Sequence, residues 1–320
     1  MGGTRKSMDW IIETLRKEQA PDGSWDFPFD TGISTDAYMI ILLRTLEIND
    51  EELIQGLCRR ILGKQEKNGA WKLFYDEGEG NLSATLEAYY ALIYSGYYSN
   101  SEPKLRKAKK FILEHGGLGE VSTFTKIMLA ITGQYKWPSF SPMPIEIILL
   151  PSSFPVNFYS FSVFGRANIT PIMILAAKRF SLKTSKSPDL SELHLNRDQE
   201  DSWIQSSEWR SFLSFIEEGI KSLIGLPVEL HRLAIDRARK YMLDRIEPDG
   251  TFLSYYSCTF LMIFALLSLG YKKTDPVITK AVAGIKSMQC EIDGAAAYAI
   301  HHCGCVEYIS NWFCFAICRG

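Results

Sequence analysis

The sequence predicts an all-α protein, built as an array of helical hairpins that are joined by glycine turns. Two observations lead to this prediction. Turn dipeptides recur at a regular spacing, since Asn68-Gly69 follows Asp22-Gly23 by 46 residues and Asp293-Gly294 follows Asp249-Gly250 by 44. Apolar residues recur at helical spacing around these turns, in MDWIIETLRKEQ, STDAYMIILLRTLEI, SATLEAYYALIYSGY, AIDRARKYMLDRI and YYSCTFLMIFALLSLGY. Patterns typical of strands are almost absent.

The helical patterns and the turns divide the chain in order. Residues 1–30 form an N-terminal segment with one predicted helix, and residues 31–294 form the array of hairpins. The polar stretch 181–201 interrupts the pattern and is predicted to be an excursion on the surface. The apolar run 258–270 is shorter than the ~18 to 20 residues that span a bilayer, so we expect a buried helix.

An eight-residue motif contains each of the first two turns. EQAPDGSW and KQEKNGAW share a Gln, a Gly and a Trp at the same offsets, which are Gln19, Gly23 and Trp25 in the first copy and Gln65, Gly69 and Trp71 in the second. The amide can bond backbone groups at a neighbouring helix end, and the indole can cover the amide. This pattern predicts a stabilising role. A third copy has Ile246 and Phe252 in the Gln and Trp places and therefore lacks the amide.

Composition and charge exclude some functions. The 320 residues are 46% hydrophobic, and 35 Lys and Arg against 37 Asp and Glu give no reason to expect nucleic acid as a partner. The basic run KLRKAKK is typical of a solvated helix face. No apolar leader follows the start, so a cytoplasmic protein is expected. The late HHCGC cluster does not fit the usual spacing of a structural zinc site, and no metal is predicted.

Beyond these patterns, the chain resembles a known family. The two Gln-x-x-x-Gly-x-Trp motifs are similar to the QW motifs of squalene-hopene cyclases and other class II terpene cyclases. NLSATLEAYYAL, HGGLGEVSTFTKIMLAITGQYKWP and PIEIILLPSSFPVNFYSFSVFGRANITP follow in the order of that family, over about residues 8 to 294. DRIEPDG with the aromatic pair after it is most similar to the bacillus-type branch, the tetraprenyl-β-curcumene cyclases.

The resemblance implies a fold and a chemistry. The fold is a pair of α/α barrels with a large apolar cavity between them, and the second barrel is incomplete here. The chemistry, that of an isomerase or a lyase, closes a linear polyprenoid by protonation and a carbocation cascade, without a cofactor. The acid belongs to an Asp-x-Asp-Asp-Thr-Ala motif, which these 320 residues do not contain. The chain therefore corresponds to the N-terminal half, with no catalytic residue of its own and with inactivity expected. The family also implies a homodimer.

Residues of the substrate cavity are implied one at a time. They are Phe124, Met128 where relatives carry Trp, Phe164 where relatives also carry Trp, two water-holding carboxylates at Asp36 and Glu87, and Tyr255 and Tyr256 after the third turn. Ser122 replaces the Arg partner of the carboxylates, which puts a hopanol-type water network in doubt. Alternatives stay open: the aromatic side chains fit ordinary core positions, and the acids fit interactions with helix dipoles.

A membrane surface is the expected second partner, because the implied substrate is a lipid. Residues 209–227 predict an amphipathic helix whose apolar face comprises Phe212, Phe215, Ile216, Ile220, Leu223 and Ile224. Such a face can rest in the interface without spanning the bilayer, so we expect peripheral, monotopic attachment at the cytoplasmic face of the cell membrane. A buried core helix fits the pattern equally well.

Two further hypotheses follow from the missing acid and from the tail. The chain could be a stand-alone polyprenoid-binding or membrane-docking module that works with a separate catalytic partner. A protein prenyltransferase subunit is excluded, since the body of the chain lacks the Asp, Cys and His zinc ligands. Residues 295–320 depart abruptly from the family. One set of synonymous codons for residues 306–319, read from the second base, gives the family-like string WNTSLIGFALQYA. A frameshift near Gly294 is therefore predicted.

Overall fold

The helical class that the sequence predicts is confirmed. A computed structural model describes residues 2–19, 21, 23, 32–138, 143–154, 157–195, 228–292 and 295–298. Within these ranges the chain forms ten α-helices: α1 (Gly2–Glu18), α2 (Ser34–Leu46), α3 (Glu51–Gly63), α4 (Leu82–Ser95), α5 (Pro103–Glu114), α6 (Thr123–Ile131), α7 (Val163–Ala177), α8 (Val228–Leu243), α9 (Tyr256–Ser268) and α10 (Pro276–Ser287). Short 3-10 helices cover Gly117–Gly119, Ile145–Leu149, Phe158–Ser160 and Ser191–Leu193.

The helices form an inner and an outer layer, which their sequences anticipate. Helices α2, α4, α6 and α9 are apolar on nearly all sides, and α9 is buried continuously from Tyr256 to Leu266. Helices α3, α5 and α10 bury one stripe only; in α5 it comprises Leu105, Ala108, Phe111 and Ile112. A helix that is apolar all round needs neighbours on every side, whereas an amphipathic helix can face water. The layers therefore follow from the width of each apolar face.

The beginning and the end of the array meet and close an all-α barrel. Helix α2 packs on α4, α7 packs on α9, and α9 contacts α2. Lys273, after α9, donates to the Glu47 carboxylate at 2.8 Å and to the Thr45 carbonyl at 3.1 Å, both at the end of α2. Lys286 of α10 pairs with Asp50. These contacts join the last helices to the C-terminal end of α2.

The turns at Gly69 and Gly250 have the same geometry. Their φ angles are 97° and 94°, a region that L side chains rarely adopt. A Cβ atom would lie 2.6 Å from Lys107 in α5 at the first turn and 2.5 Å from Lys280 in α10 at the second. Glycine is therefore needed twice, for the backbone angle and for close approach to a helix that begins with proline.

The Gln and Trp side chains tie the second copy together. Gln65 Nε2 donates to the carbonyls of Gly69 and of Lys104, each at 3.0 Å, and so links the turn to the first turn of α5. The buried Trp71 indole donates to the Ile61 carbonyl at 2.6 Å. In the first copy, Gln19 Nε2 donates to the Gly23 carbonyl at 2.8 Å, and Trp25 lies outside the described residues.

The third copy keeps the backbone arrangement without the amide. The Phe252 amide donates to Thr259 Oγ1 at 2.9 Å, as the Trp71 amide donates to Thr85 Oγ1 at 3.0 Å. Phe252 is fully buried in the Trp place, and Ile246 provides no donor in the Gln place. The third copy therefore keeps the glycine turn and the buried ring without the hydrogen bonds of a Gln amide.

A polar segment returns across the barrel after α7. We call residues 180–195 the strap; it covers most of the predicted excursion, whose residues 196–201 lie outside the described ranges. The Leu182 amide donates to the Ile131 carbonyl at 2.7 Å, which pins the strap to the end of α6. Leu190 and Leu193 of the strap are buried in the hydrophobic core. The strap is therefore held by both backbone bonds and apolar contacts.

One β-hairpin differs from the expected helical pattern. Strands β1 (Gln289–Ile292) and β2 (Ala295–Tyr298) pair antiparallel, with Gln289 opposite Tyr298 and Ile292 opposite Ala295. The dipeptide Asp293-Gly294 separates them. Asp-Gly between two short strands is also a strong hairpin signal, which explains why a turn expected between helices joins strands instead.

Two predicted features cannot be compared with the fold. The amphipathic stretch 209–227, and residues 299–320 of the tail, lie outside the described residues. Among the helices that the structure does describe, none combines the length and the apolar character needed to cross a bilayer.

Candidate functional site

The predicted cavity residues lie at one end of the inner helices. Asp36 is in the first turn of α2, Phe124 in the first turn of α6 and Phe164 in the first turn of α7. Glu87 and Met128 follow one turn later in α4 and α6, while Tyr255 and Tyr256 begin α9. Residues that are distant in sequence therefore share the N-terminal end of the barrel.

Glu87 is the centre of a buried network of hydroxyl groups. Its Oε2 accepts from Ser34 Oγ at 2.6 Å. Its Oε1 accepts from the Tyr38 hydroxyl at 2.5 Å and from Thr125 Oγ1 at 2.6 Å. These donors come from α2 and α6, which flank α4 at this end. A carboxyl group that accepts three hydrogen bonds inside the barrel is well satisfied without a cation.

Burial raises the pKa of Glu87, and the bonds from Ser34, Thr125 and Tyr38 offset only part of that shift. The same burial, with the neighbouring Glu87 carboxyl, raises the pKa of Tyr38 well above its ordinary value. Desolvation disfavours the charged form of both groups. The site therefore holds protons to a higher pH than an exposed pair would.

This shift predicts a pH dependence of stability. Because the folded pKa of Glu87 lies above its ordinary value of 4.5, the native state binds this proton more tightly than the unfolded state. The stabilisation is complete below that value and is lost as the pH rises through the folded pKa. In Glu87→Gln this loss is absent, so the variant should gain stability relative to wild type as the pH rises above the ordinary value of 4.5, as measured by urea unfolding.

Glu51→Gln provides a control of opposite sign. Hydrogen bonds from Arg44 and Tyr97 lower the pKa of Glu51 to about 2. Its contribution is complete above its unfolded pKa and is lost only as the pH falls, so its difference from wild type should stay constant above about pH 5. A Glu87→Gln difference that is equally constant would contradict the predicted shift.

Asp36 is held by a different element. Its buried carboxylate pairs with Arg60, which projects from α3, and the same guanidinium nitrogen donates to the Gly32 carbonyl at 3.1 Å. The two acidic residues therefore have separate partners, a guanidinium for Asp36 and hydroxyls for Glu87.

Ser122, at the place of the expected arginine, has the role of a helix cap. Its Oγ accepts from the Thr125 amide at 3.2 Å and lies 2.8 Å from Thr125 Oγ1. Thr125 in turn donates to Glu87. Ser122 thus reaches Glu87 only through Thr125.

Two aromatic rings pack against Tyr38 of the Glu87 network. The Tyr38 ring lies 5.5 Å from Phe124 and 5.4 Å from Phe260, measured between centroids. Phe164 packs edge-on against Tyr255 at 4.7 Å, so these two predicted residues are in contact.

Tyr256 and Met128 complete the set of predicted cavity residues. Tyr256 donates to the Thr35 carbonyl at 2.9 Å, next to Asp36. Met128 is buried in α6. The Tyr256 hydroxyl thus links the start of α9 to the start of α2.

Several residues of the network were not anticipated. The sequence offered one signal for Ser34, Tyr38 and Thr125, which is that hydroxyl side chains cluster in the first two turns of helices that are otherwise apolar. Arg60 gives no such signal, because its partner lies on another helix. Lys126, the residue after Thr125 in α6, is also buried, and desolvation lowers its pKa although Glu120 acts in the opposite direction.

Across the described ranges, no three His, Cys, Asp or Glu side chains come together in a way that could hold a metal ion. Cys303, Cys305, Cys314 and Cys318 of the tail lie outside those ranges.

Comparison with known proteins identifies the family. The squalene-hopene cyclase N-terminal domain family matches residues 9–293, and the chain belongs to it. The chain is 37% identical over 296 residues to sporulenol synthase of Bacillus subtilis, which covers 91% of this chain and 46% of that protein. It is 28% identical over 296 residues to squalene-hopene cyclase of Alicyclobacillus acidocaldarius, covering 90% and 45%. The chain therefore spans about half the length of the curated relatives it matches.

Among solved structures, the type II terpene cyclase MstE from Scytonema is similar at a TM-score of 0.30 and 17% identity, over 88% of this chain and 76% of that one.

Proposed function

We propose that this chain supplies the N-terminal barrel of a polyprenoid cyclase, in which a linear substrate such as squalene or tetraprenyl-β-curcumene is closed through a carbocation cascade. The observation that carries the proposal is the Glu87 network, a buried carboxyl group among the rings of Tyr38, Phe124 and Phe260. The names of the relatives, sporulenol synthase and squalene-hopene cyclase, support the substrate class.

The aromatic rings of the site can stabilise a carbocation that forms along an apolar substrate. The faces of aromatic rings attract positive charge, and the effect is larger where water is excluded. Glu87 engages its oxygens with three hydroxyl donors, so its lone pairs are partly occupied. In this proposal the rings stabilise the migrating charge, and the hydroxyl network lies near the end at which cyclisation terminates.

The proposal assigns the initiating acid to a part of the enzyme that this chain does not contain. No Asp-x-Asp-Asp-Thr-Ala motif is present in the 320 residues. We therefore expect the purified chain to form no cyclic product from squalene or tetraprenyl-β-curcumene, as measured by gas chromatography. A cyclic product that scales with the concentration of this chain alone would contradict the assignment.

A second candidate function is a stand-alone polyprenoid-binding module that cooperates with a separate catalytic protein. It is favoured by the same combination of a ring-lined site and a missing acid motif. The two proposals differ in the gene: a cyclase half requires a reading frame after residue 294 that encodes the acid motif, whereas a module does not. Sequencing the locus distinguishes them, and it also tests the frameshift proposed for residues 295–320.

Helix α1 supports the proposal of a missing second barrel. Met8, Ile11, Ile12 and Leu15 form an exposed apolar stripe at helical spacing. We propose that residues 1–30 pack against that barrel. A blue shift of Trp10 fluorescence on addition of the second half would support this, and unchanged fluorescence in a complex that does form would oppose it. The family also suggests a homodimer, which light scattering would test.

Peripheral membrane attachment remains a proposal for residues 209–227. The physical support is the apolar face of that stretch and the lipid nature of the substrate. We expect weak, detergent-reversible sedimentation with liposomes at the composition of the cytoplasmic leaflet, and its loss in Phe212→Glu with Phe215→Glu. Equal sedimentation of wild type and double variant, with unchanged helical circular dichroism, would argue against it.

A further inference from the structure

The link between the third turn and α9 is far shorter than the equivalent link of the second copy. Asn81 and Tyr255 hold the same place in the two copies, because each precedes a helix and its carbonyl accepts from the hydroxyl of the threonine four residues later at 2.6 Å. Nine residues separate Trp71 from Asn81, whereas two separate Phe252 from Tyr255. The chain must therefore turn sharply to enter α9.

Three consecutive residues of this short link are locally unfavourable. Leu253 and Ser254 both have a φ angle of 55°, in the left-handed region that is uncommon for residues other than glycine. Tyr255 precedes α9 without a side-chain hydrogen bond to the helix, whereas the Asn81 side chain accepts from the Ala84 amide at 3.0 Å. Asn is among the best residues at this position. The third copy therefore departs from the favourable residue type three times in a row.

Glu247 holds the strained link in place. The Ser254 hydroxyl donates to Glu247 Oε2, and Thr251 Oγ1 donates to the same oxygen at 3.4 Å. The backbone of Glu247 also closes the turn, since its amide donates to the Thr251 carbonyl at 2.8 Å and its carbonyl accepts from the Gly250 amide at 2.9 Å. Unfavourable backbone angles persist only where surrounding contacts offset their cost. Glu247 supplies such a contact directly to Ser254.

The strained link ends at a ring that a ligand can reach. The Tyr255 amide donates to the Phe252 carbonyl at 3.2 Å, and the Tyr255 ring packs edge-on against Phe164 at 4.7 Å between centroids. Both of these side chains are partly exposed, whereas the neighbouring Tyr256 is 4% exposed and donates to the Thr35 carbonyl. Tyr255 and Phe164 therefore form an accessible edge-on pair.

The position of this ring gives the strained link a purpose. Sequences depart from locally favourable residues mainly at functional or strained sites. We propose that Glu247 is a positioning residue, which acts through Ser254 to hold the Tyr255 ring against Phe164 in the wall of the polyprenoid site. Tyr255 then limits the width of the site at this point and helps to select the substrate chain. The role in selection rests on the proposed function, whereas the positioning rests on contacts within the chain.

The test uses the full chain with fluorotyrosine at position 255 and records its fluorine-19 nuclear magnetic resonance signal. Glu247→Ala and Ser254→Ala each remove the bond between these two side chains, so each should shift the signal from its wild-type position. The double variant should shift it no further than a single variant, because both changes act through one contact. Glu247→Gln keeps an oxygen that accepts from Ser254 and should retain the wild-type signal.

Two further variants keep this test decisive. Asp244→Ala removes an exposed carboxylate three residues before Glu247 and should leave the signal unchanged. Ser254→Gly adopts the left-handed backbone angle without strain, so it replaces the alanine variants where these fail to fold, and it should still shift the signal because the hydroxyl is absent. A wild-type signal in folded Glu247→Ala or in Ser254→Gly overturns the positioning role.

Addition of squalene separates this inference from the proposed function. Squalene in detergent micelles, compared with empty micelles, should shift the fluorotyrosine signal of the otherwise wild-type chain, and Glu247→Ala should need more squalene for half of its response. A signal that responds to the variants but not to squalene overturns the placement of Tyr255 in the polyprenoid site and leaves the positioning role standing. A signal that responds to squalene but not to the variants overturns the positioning role alone.

Discussion

Arg60→Met is expected to destabilise the chain by about 3–5 kcal/mol, because it leaves a buried carboxylate without its charge partner. The Asp36 side chain is 0% exposed and that of Arg60 is 3% exposed. Removing one member of such a pair leaves the other charge buried without a partner, so its desolvation penalty is no longer offset. The loss should appear as a lower midpoint in urea unfolding monitored by circular dichroism.

Two matched variants make this prediction specific. Arg239→Met removes a pair with Asp236 in which the side chains are 43% and 57% exposed, and we expect a change of at most about 0.5 kcal/mol. Asp36→Leu with Arg60→Met removes both charges and should recover much of the loss. An Arg60→Met variant as stable as Arg239→Met would show that the Asp36 carboxylate is neutral or hydrated.

Trp71→Ala should be comparably severe, with a loss of about 3–5 kcal/mol. The indole is fully buried in the second glycine-turn copy, and its nitrogen donates to the Ile61 carbonyl at 2.6 Å. Truncation therefore combines a large cavity with the loss of one hydrogen bond to the Ile61 carbonyl, which still accepts from the Lys64 amide at 3.1 Å. Differential scanning calorimetry on the full chain measures the change.

The chain provides its own comparison for this variant. Phe252 holds the equivalent place in the third copy, so Trp71→Phe should keep the fold at a cost of about 1–3 kcal/mol, from the smaller ring and the lost hydrogen bond of the indole. Tyr75→Ala, at a residue that is 94% exposed, should change stability by less than about 0.5 kcal/mol. A Trp71→Ala variant that falls within that range would mean that the turn does not depend on the ring.

Helix predictions succeeded where the apolar pattern is dense. Helices α2, α4 and α9 bury nearly every residue, so their sequences leave little choice of structure. Helix α7 was not predicted from periodicity, since Pro171 inside it interrupts the pattern. The hairpin at Gln289–Tyr298 was missed because Asp-Gly is compatible with both a helical turn and a strand turn.

The candidate site was only partly predictable for a related reason. The resemblance named Glu87 and Phe124. Ser34 and Tyr38 can donate hydrogen bonds to Glu87 only when α2 packs on α4. Arg60 pairs with Asp36 because α3 folds back along α2. Such pairings depend on relative helix positions, and periodicity along one helix contains no information about them.

Photolabelling with a squalene analogue that carries a terminal diazirine tests the central claim most directly. The analogue is incubated with the purified chain, irradiated and mapped by mass spectrometry, with squalene as competitor. The account predicts squalene-sensitive labels on peptides containing Tyr38, Glu87 or Phe124, at the N-terminal end of the inner helices. Labels confined to other parts of the chain, or labels that squalene does not reduce, would contradict the assignment of this barrel as a polyprenoid site.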